Sequence, residues 1–360
     1  MILGIDASNI RSGGGLTHLV ELLRAFNPKN CKYKKIIIWS SLKTLDRLID
    51  QRWILKRNHH YLNKNFLYRV FWQWKYLDKQ AKQENCSLIF VPGSSFIFSF
   101  RPVVTMNQNL LPFKWNEIKR YGFSLSTLKF LFLRFSQSIS FHNANGIIFL
   151  TQNAYSSVLK KTGKLKGSTI IIPHGVHKRF FHKPRSQKIV FKGQFEAPIK
   201  LIYLSSIEPY KHHDKVIKAV DQLIQNQIPI ILDIYGSSSR SKAISKLKKI
   251  INKHDLFEKY IRYKGSVKHE NIHELYLEYD IAIFASSCET FGQILLEGLA
   301  SGIPTASSNM SSLPEILGDS VTYFNPTNID SIFSSLSAFI NSPNLRIEKA
   351  KKGYELAKKF

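Results

Sequence analysis

Two glutamates follow one short apolar run in the second half of the chain. Residues 281–285 are apolar and bounded by turn residues, a pattern typical of a buried parallel strand. Glu289 comes shortly after this run, and Glu297 lies eight residues further on, in a pattern that predicts a helix starting near Gly292. Parallel sheets bind ligands beyond the carboxyl ends of their strands, so both carboxylates are candidate ligand contacts.

The start of the predicted helix could bind an anion. The backbone amides of Thr290, Phe291 and Gly292 would lack intrahelical partners there, and the helix dipole favours a phosphate. Glu297 would lie about 7.5 Å further along the axis, which suits a pair of ribose hydroxyls. We therefore predict a nucleoside diphosphate sugar site, with Glu289 on the sugar side. The alternative is an ordinary strand–loop–helix in which both glutamates are solvated.

A lysine follows another predicted strand, at residues 201–204. The ammonium of Lys211 could neutralise a diphosphate and stabilise the charge that develops on a phosphate leaving group. In a Lys-rich chain, a solvated loop lysine is the alternative. His212 and His213 are expected to be exposed loop histidines, because adjacent residues rarely converge on one metal ion.

The sequence offers no obvious metal site. No Asp-x-Asp pair occurs, so the usual carboxylate platform for a metal-bound diphosphate is missing. The three cysteines are widely spaced and indicate neither a disulfide framework nor a zinc site. We expect no metal and no cofactor, with the nucleotide sugar acting as a substrate.

A glycine-rich loop follows the first predicted strand. Residues 2–6 predict the strand, Gly13, Gly14 and Gly15 the loop, and residues 19–26 an amphipathic helix. This layout could cradle a phosphate or a sugar, although it matches neither a Walker loop nor a dinucleotide fingerprint. The aspartate that ends the strand could support the loop or cap a turn.

Short apolar runs alternate with helical patterns along the chain and predict an α/β protein. We expect two Rossmann-like domains that face each other across a cleft: residues 1–173, a linker at 174–199, and residues 200–360. The remaining predicted strands lie at residues 36–39, 87–91, 103–106, 146–150, 169–172, 230–234, 260–263 and 304–306, and the main helices of the second domain lie at residues 214–225, 241–253 and 272–279.

The charge of the chain points to anionic partners. Fifty-two Lys and Arg residues against 25 Asp and Glu give a formal net charge of +27. Nucleic acid, acidic lipid head groups and phosphorylated substrates are partners that such a charge favours. The alternative is that the whole proteome uses basic residues frequently. No nucleic-acid-binding motif occurs, so we expect no nucleic-acid partner.

Two aromatic and basic segments narrow the choice of partner. Residues 63–83 and 113–141 interleave Phe, Trp and Tyr with Lys and Arg, as suits a surface that beds into a lipid interface. Core helices with solvated basic faces would look similar. No apolar run is long enough to span a bilayer, and the first residues lack a signal-peptide pattern. We expect a cytoplasmic protein, peripheral at an anionic inner membrane face.

The motifs together resemble retaining glycosyltransferase family 4, whose members have the GT-B fold of two Rossmann-like domains. The Glu-x(7)-Glu spacing of Glu289 and Glu297 carries the resemblance when the other blocks occur in order. The matching segments are residues 170–180, 203–211, 263–268, 285–292, 295–304, 312–315 and 323–326.

The resemblance implies a role for each candidate residue. Glu289 and Lys211 would be catalytic, with Glu289 on the donor sugar and Lys211 on the diphosphate. Glu297 would bind the ribose, the amides of residues 290–292 would bind the diphosphate and sugar, and the loop at residues 13–15 would approach from the other lobe. The implied reaction is sugar transfer with retention to a lipid-linked or polysaccharide acceptor, in the biosynthesis of bacterial lipopolysaccharide, O-antigen or capsule.

Three features depart from the family pattern. Ser206, a donor-site candidate, stands where the family usually has an arginine. Gln108 stands where a histidine is frequent, which leaves Gln108 and Asn109 as acceptor-side candidates. A basic helix is predicted at residues 346–359, directly before the last residue, Phe360. It looks short for the terminal helix of this fold, which normally crosses back to the first lobe. These departures motivate the alternative of a catalytically inactive GT-B partner subunit.

Overall fold

The computed structural model describes residues 1–238, 240–252 and 257–360. The chain forms two compact units. The first contains Met1–Phe113 and Phe123–Ile172, and the second contains Lys114–Gly122 and Pro173–Phe360.

The first unit is built on a seven-stranded sheet with the order β3-β2-β1-β4-β5-β6-β7, and the neighbouring strands described are parallel. Its strands are β1 (Ile2–Asp6), β2 (Lys35–Trp39), β3 (Ile54–Arg57), β4 (Leu88–Val91), β5 (Val103–Met106), β6 (Gly146–Phe149) and β7 (Ser168–Ile171). Its helices are α1 (Gly14–Ala25), α2 (Leu42–Leu45), α3 (Phe66–Trp72), α4 (Asp78–Gln83), α6 (Leu125–Asn143) and α7 (Gln152–Thr162), with a π-helical turn at Gln73–Leu77. The short helix α5 (Trp115–Lys119) belongs to the second unit.

The second unit is built on a six-stranded parallel sheet with the order β10-β9-β8-β11-β12-β13. Its strands are β8 (Ile199–Leu204), β9 (Ile230–Tyr235), β10 (Ile261–Gly265), β11 (Ile281–Phe284), β12 (Thr305–Ser308) and β13 (Thr322–Phe324). Its further helices are α8 (His213–Gln225), α9 (Ser241–Ile251), α10 (Phe257–Tyr260), α11 (Ile272–Leu275), α12 (Gln293–Ala300), α13 (Leu313–Leu317), α14 (Ile329–Asn341) and α15 (Pro343–Ala357).

Both sheets have Rossmann-like order, which confirms the predicted fold of each domain. Strands such as β11 are buried along their whole length, because helices cover both faces of a parallel sheet. The edge strands β3 and β13 were not predicted from the sequence. The predicted helix end at Lys253 lies outside the described residues.

The segment predicted as the linker, residues 174–199, groups with the second unit. Hydrogen bonds from Arg185 explain this, since its guanidinium donates to the carbonyls of Leu277 and Tyr279. The amide of His182 also donates to the carbonyl of Ala300, at 3.0 Å. These hydrogen bonds hold the segment against the second unit.

The order of the second sheet determines where a site can form. Strands β8 and β11 are neighbours, with Ile281 opposite Leu201. After β8 the chain adds β9 and β10 on one side of this strand pair, and after β11 it adds β12 and β13 on the other side. A crevice opens at such a switch point, beyond the carboxyl ends of the two strands. The loops that follow β8 and β11 carry Lys211 and Glu289.

The turn after β1 is held by the aspartate that ends this strand. Asp6 is buried and accepts hydrogen bonds from the Ser8 amide, at 3.1 Å, and from the side chain of Gln73. Burial raises the pKa of Asp6. Since Gln73 opens the π-helical turn, this contact ties the aromatic segment at residues 63–83 to the end of the first strand.

Candidate functional site

Lys211 is buried at the end of a short 3-10 turn that follows β8. Only 6% of the residue is exposed, and Nζ lies 4.4 Å from the centre of the Phe284 ring. The ammonium forms an ion pair with the Glu289 carboxylate. The hydroxyl of Tyr203 donates to the Lys211 carbonyl and fixes the backbone. The alternative of a solvated loop lysine is therefore wrong.

The backbone of Glu289 is fixed by two serines that precede α13. Its amide donates to Ser311 Oγ at 3.0 Å. Its carbonyl accepts from Ser311 Oγ at 2.8 Å and from Ser312 Oγ at 3.1 Å. The Glu289 side chain is 17% exposed and that of Lys211 is 8% exposed. The pair is thus shielded from bulk water but reachable at the edge of the sheet.

Helix α12 begins one residue later than predicted, at Gln293, with Gly292 as its N-cap. Gly292 has φ +94, and a Cβ there would lie 2.9 Å from Leu313 Cδ2, so this turn requires glycine. Thr290 and Phe291 lie in the loop before the helix, and both are buried. The Phe291 ring packs against the rings of His174 and Phe360, with centroids 5.3 and 5.8 Å away.

Glu297 is buried inside the second unit, with 2% of its surface exposed. Its Oε1 accepts hydrogen bonds from His269 Nε2 at 2.8 Å and from Gln293 Nε2 at 3.4 Å. His269 Nδ1 faces Arg179 Nη2 at 2.9 Å. Because the guanidinium can only donate, Nδ1 accepts, and the ring proton sits on Nε2, where it is donated to Glu297.

The second oxygen of Glu297, Oε2, is buried and has no hydrogen-bond partner among the described residues. A buried carboxylate oxygen without a donor is costly, which makes Oε2 a prepared acceptor for hydroxyl groups. The alternative in which both glutamates are solvated is wrong, since Glu297 is buried and Glu289 is paired with Lys211.

The histidines after Lys211 are buried, contrary to the expectation of exposed loop side chains. His213 stacks on Tyr203, with centroids 4.5 Å apart, and its Nε2 lies 3.0 Å from Ser205 Oγ. His212 has φ +48, and its Nε2 lies 2.9 Å from Ser287 Oγ. Burial lowers the pKa of His212 to about 4 and that of His213 to about 3.

A glutamate from the first half of the sequence completes this network. Ser287 Oγ donates to Glu117 Oε2 at 2.7 Å, and the same oxygen accepts from Arg120 Nε at 2.7 Å. Glu117 thereby ties α5 to the loop after β11 and, through Ser287, to His212 beside Lys211. Sequence reasoning missed Glu117. One signal was available, because it is the single acidic residue between Glu84 and Glu196.

The buried histidines predict a pH dependence of stability. Their pKa values in the folded protein, about 4 for His212 and about 3 for His213, lie below the ordinary 6.5. The unfolded chain therefore takes up protons first as the pH falls. Their contribution to the free energy of unfolding is complete above pH 6.5 and is lost on acidification, by about 1.4 kcal/mol per pH unit for each fully titrating histidine.

Urea unfolding of the protein between about pH 7 and pH 5 measures this slope. The variant His213→Gln removes one titrating ring and should flatten the slope. A slope unchanged by the substitution would contradict the assignment to His213.

Ser206 is exposed in the same loop as Lys211, and its carbonyl accepts from the Glu208 amide at 3.0 Å. An arginine does reach this loop from elsewhere, since Arg240 pairs with Glu208 at 3.2 Å. Glu208 also accepts from the Tyr121 hydroxyl at 3.1 Å. Neither Arg240 nor Tyr121 was singled out from the sequence.

The other candidates lie in the first unit. Gly13 is the N-cap of α1, with φ +69. Gly14 and Gly15 are the first residues of α1, so the predictions of a loop at these positions and of a helix that begins at residue 19 are wrong. A Cβ at Gly15 would lie 3.3 Å from Gln108 Oε1, so the structure brings the start of α1 and Gln108 together, whereas a Cβ at Gly14 would meet no atom within 4 Å. Asn109 uses Oδ1 to accept the Leu111 amide at 3.1 Å and thus supports its own turn. The approach of residues 13–15 to the diphosphate stays a prediction.

Among the residues that the structure describes, no group of three or more His, Cys, Asp or Glu side chains is placed to hold a metal ion. The charged groups at the switch point of the second sheet include Lys211 with Glu289, and Glu297 with His269. This arrangement can neutralise an anion and accept hydroxyl hydrogen bonds.

Residues 185–358 match the family described as glycosyl transferases group 1. The match covers 174 of the 360 residues, just under half of the chain. Over 138 residues the chain is 33% identical to the UDP-N-acetylglucosamine–peptide N-acetylglucosaminyltransferase GtfA subunit of Streptococcus pneumoniae, covering 38% of this chain and 24% of that protein. It is 28% identical over 162 residues to the O-antigen chain mannosyltransferase B of Escherichia coli, covering 44% and 41%. The chain thus spans less than half the length of these two relatives.

Two solved structures of glycosyltransferases share the fold. Sucrose-phosphate synthase from Thermosynechococcus elongatus matches with a TM-score of 0.77 and 14% identity, over 100% of this chain and 94% of that one. HepE of Anabaena in complex with UDP-glucose matches with a TM-score of 0.74 and 13% identity, over 100% and 95%. At this identity the likeness shows the fold, and it confirms the GT-B fold class.

Proposed function

We propose that the protein is a glycosyltransferase that moves a sugar from a nucleotide-diphosphate sugar to an acceptor. The observation that carries the proposal is the pairing of buried Lys211 with Glu289 beside the start of α12. On that helix, Glu297 Oε2 is buried and has no hydrogen-bond partner in the described parts of the chain. The match of residues 185–358 to the glycosyl transferases group 1 supports it. So does the solved structure of HepE, which contains UDP-glucose.

Each group has a distinct task in this proposal. Glu297 Oε2 accepts the ribose hydroxyls, and the amides of residues 290–292 and the first turn of α12 receive the diphosphate. Lys211 then exchanges part of its bond to Glu289 for a phosphate oxygen. Glu289 is left to accept hydroxyls of the donor sugar, and Ser206 lines the same loop.

We propose a retaining reaction of the family 4 type without a metal. The bond between the anomeric carbon and the phosphate oxygen breaks, and the acceptor oxygen bonds to that carbon from the same face. The acceptor proton passes to the departing phosphate oxygen, so no enzyme base is needed. Lys211 and the helix start stabilise the charge on the leaving diphosphate.

The acceptor in this proposal is a lipid-linked or polysaccharide glycan of the bacterial surface, reached at the inner face of the cell membrane. The similarity to an O-antigen chain mannosyltransferase supports this choice. Gln108 and Asn109 are the acceptor-side candidates, and Gln108 lies beside Gly15 in the first unit.

A donor screen tests the proposal. Uridine, guanosine and thymidine diphosphate sugars are added in turn, and the melting temperature of the protein is measured with and without EDTA. We expect one nucleotide series to stabilise the protein, by about 2.7 kcal/mol at a hundredfold excess over Kd, and EDTA to leave the shift unchanged. Loss of the shift in EDTA would contradict the metal-free mechanism, and no shift with any donor would contradict the donor site.

The second candidate, a catalytically inactive partner subunit, is motivated by Ser206 and Gln108, where the family pattern has other residues. The donor that raises the melting temperature in the screen is used to distinguish this candidate from the glycosyltransferase. Turnover of that donor, by transfer or by slow hydrolysis to the nucleoside diphosphate, supports the enzyme. Binding without either reaction supports the partner subunit, and the anomeric configuration of a transferred sugar, read by NMR, tests retention.

A further inference from the structure

Helix α6 packs against the first unit through polar side chains and the buried ring of Phe141. Gln137 and Ser140 are buried on its inner side, at 3% and 1% exposure. Ser140 Oγ accepts from the Phe96 amide at 2.9 Å and lies 3.1 Å from the Phe96 carbonyl. Ser136 Oγ lies 3.1 Å from Ser95 Oγ. Serine hydroxyls thus join this helix to the segment that follows β4.

The outer side of the same helix is apolar. Leucines, phenylalanines and an isoleucine recur there at alternating spacings of three and four residues, which places them on one face. The stripe consists of Leu125, Leu128, Phe132, Phe135 and Ile139, with exposures of 85, 64, 52, 67 and 42%. A surface helix normally turns its apolar stripe to the core, whereas α6 carries this second apolar stripe on its exposed side, away from the buried Phe141.

Helix α3 extends this apolar surface. The Phe66 ring meets the Phe132 ring edge-on, with centroids 5.8 Å apart. Leu67 and Tyr68 beside it are 73% and 42% exposed. We call the stripe on α6 together with Phe66, Leu67 and Tyr68 the α6 face. A continuous apolar surface of this kind marks an interaction site.

The surroundings of the α6 face are basic. Residues 118–195 contain no Asp or Glu, and Lys129 and Arg134 lie on α6 itself. On the α3 side, Lys64 lies 4.7 Å from the Tyr68 ring centre and the Arg69 guanidinium lies 5.8 Å from that of Phe66. The nearby acid in sequence, Asp78, is occupied by hydrogen bonds from the backbone amides of Ser99 and Phe100.

We propose that the α6 face docks on an anionic lipid bilayer. The apolar side chains enter the interface between head groups and acyl chains, and the flanking Lys and Arg side chains reach back to the phosphates. Charge complementarity favours lipid over a second copy of this chain, because two such faces would bring cations of the same sign together. Among the described residues no helix is long and apolar enough to cross a membrane. In this proposal, α6 lies along the membrane surface.

Vesicle co-sedimentation tests the proposal. The full chain is mixed with vesicles of phosphatidylcholine alone or with about one-third phosphatidylglycerol, at low and at physiological salt. We expect binding to the anionic vesicles and at least about a tenfold weaker affinity for neutral ones, with salt reducing the anionic component. Binding that is equal on both vesicle types, or absent on both, would overturn the proposal.

Two sets of variants locate the binding surface. The triple variant Leu128→Ser, Phe132→Ser and Phe135→Ser should lose vesicle binding by about tenfold or more, because its targets enter the interface. The matched control Ile189→Ser with Phe191→Ser changes apolar residues of the second unit that are 65% and 56% exposed, and it should bind as the wild type does. The charge variant Lys129→Glu with Arg134→Glu should lose mainly the salt-dependent part.

The remaining outcomes are also decisive. Because the three serine substitutions lie on the outer side of α6, the variant should keep its circular dichroism and its melting temperature. Wild-type vesicle binding by this folded variant would overturn the proposal. A second result would also overturn it: the wild type is a dimer that does not bind vesicles, and the triple variant is a monomer. In that case a second copy of the chain would occupy the α6 face. The face lies outside the donor site, so the donor-induced shift in melting temperature is expected in every variant, and its presence separates failure of docking from failure of the proposed activity.

Discussion

Replacing Lys211 by Met lowers kcat/KM for sugar transfer by roughly 10²–10³, the range expected when a preorganised charge on a developing anion is removed. Lys211 is suited to this task because it is buried and already paired at the switch point of the second sheet. In the proposed mechanism, a shielded ammonium would act on the leaving diphosphate without first shedding water. Methionine keeps much of the side-chain volume beside Phe284 and removes the charge.

The measurement is initial-rate kinetics with the donor found in the screen. Lys218→Met is the matched control, since Lys218 is an exposed lysine of α8, a short distance along the chain. It should transfer as the wild type does. Equal activity of Lys211→Met and the wild type would remove the central claim of the mechanism.

Stability must be separated from catalysis in this experiment. Removing one partner of a buried ion pair costs about 3–5 kcal/mol, because the other charge is left uncompensated. The double variant Lys211→Met with Glu289→Gln removes both charges and should recover most of that loss. If the double variant unfolds like the wild type and still fails to transfer sugar, the lost activity belongs to the charges and not to misfolding.

The sequence predicted the local arrangement of the candidate site residues. Glu289, Gly292 and Glu297 lie within one strand–loop–helix, so the spacing along the chain determined their separation. Lys211 was recognisable because its loop follows a strand, and parallel order brings the ends of strands to one edge. The edge strands β3 and β13 were not predicted, because Ile54–Arg57 ends in two cations and Thr322–Phe324 is only three residues long.

The parts that stayed hidden depend on contacts between distant segments. Glu117 reaches Ser287 across 170 positions of sequence, and no local pattern shows that α5 joins the second unit. His212 and His213 look like exposed loop residues until the Ser287 and Ser205 hydroxyls are seen to partner them. Hydrogen bonds of this range follow from the fold.

The orientation of α6 was also hidden. Its apolar periodicity is compatible with a helix that turns this side to the core or to the outside. The hydrogen bonds between Ser140 and the backbone of Phe96 determine the orientation of the helix. They leave the stripe of exposed apolar side chains on the outer side, in contact with solvent. The aromatic and basic composition indicated an interface, and the structure identified the side chains that form it.

Replacing Glu297 by Ala weakens donor binding by about 1.5–3 kcal/mol, or roughly 10–150-fold in Kd, the loss expected for hydrogen bonds to a charged acceptor. The reason is the buried Oε2 oxygen, which no described residue hydrogen-bonds and which is the proposed acceptor of the ribose hydroxyls. Calorimetric titration with the donor measures the change. Glu270→Ala is the control, because its carboxylate follows His269 directly but is 69% exposed.

A nucleotide lacking a ribose hydroxyl distinguishes a ribose contact from a general weakening of the site. If Glu297 holds the hydroxyl, the deoxy nucleotide loses affinity for the wild type but little further affinity for Glu297→Ala, so the two changes are not additive. Additive losses would mean that Glu297 acts at a distance, through His269 and Arg179. Because Oε1 is already held by His269, we expect the coupling to reside in Oε2, and His269→Ala should weaken binding less than Glu297→Ala does.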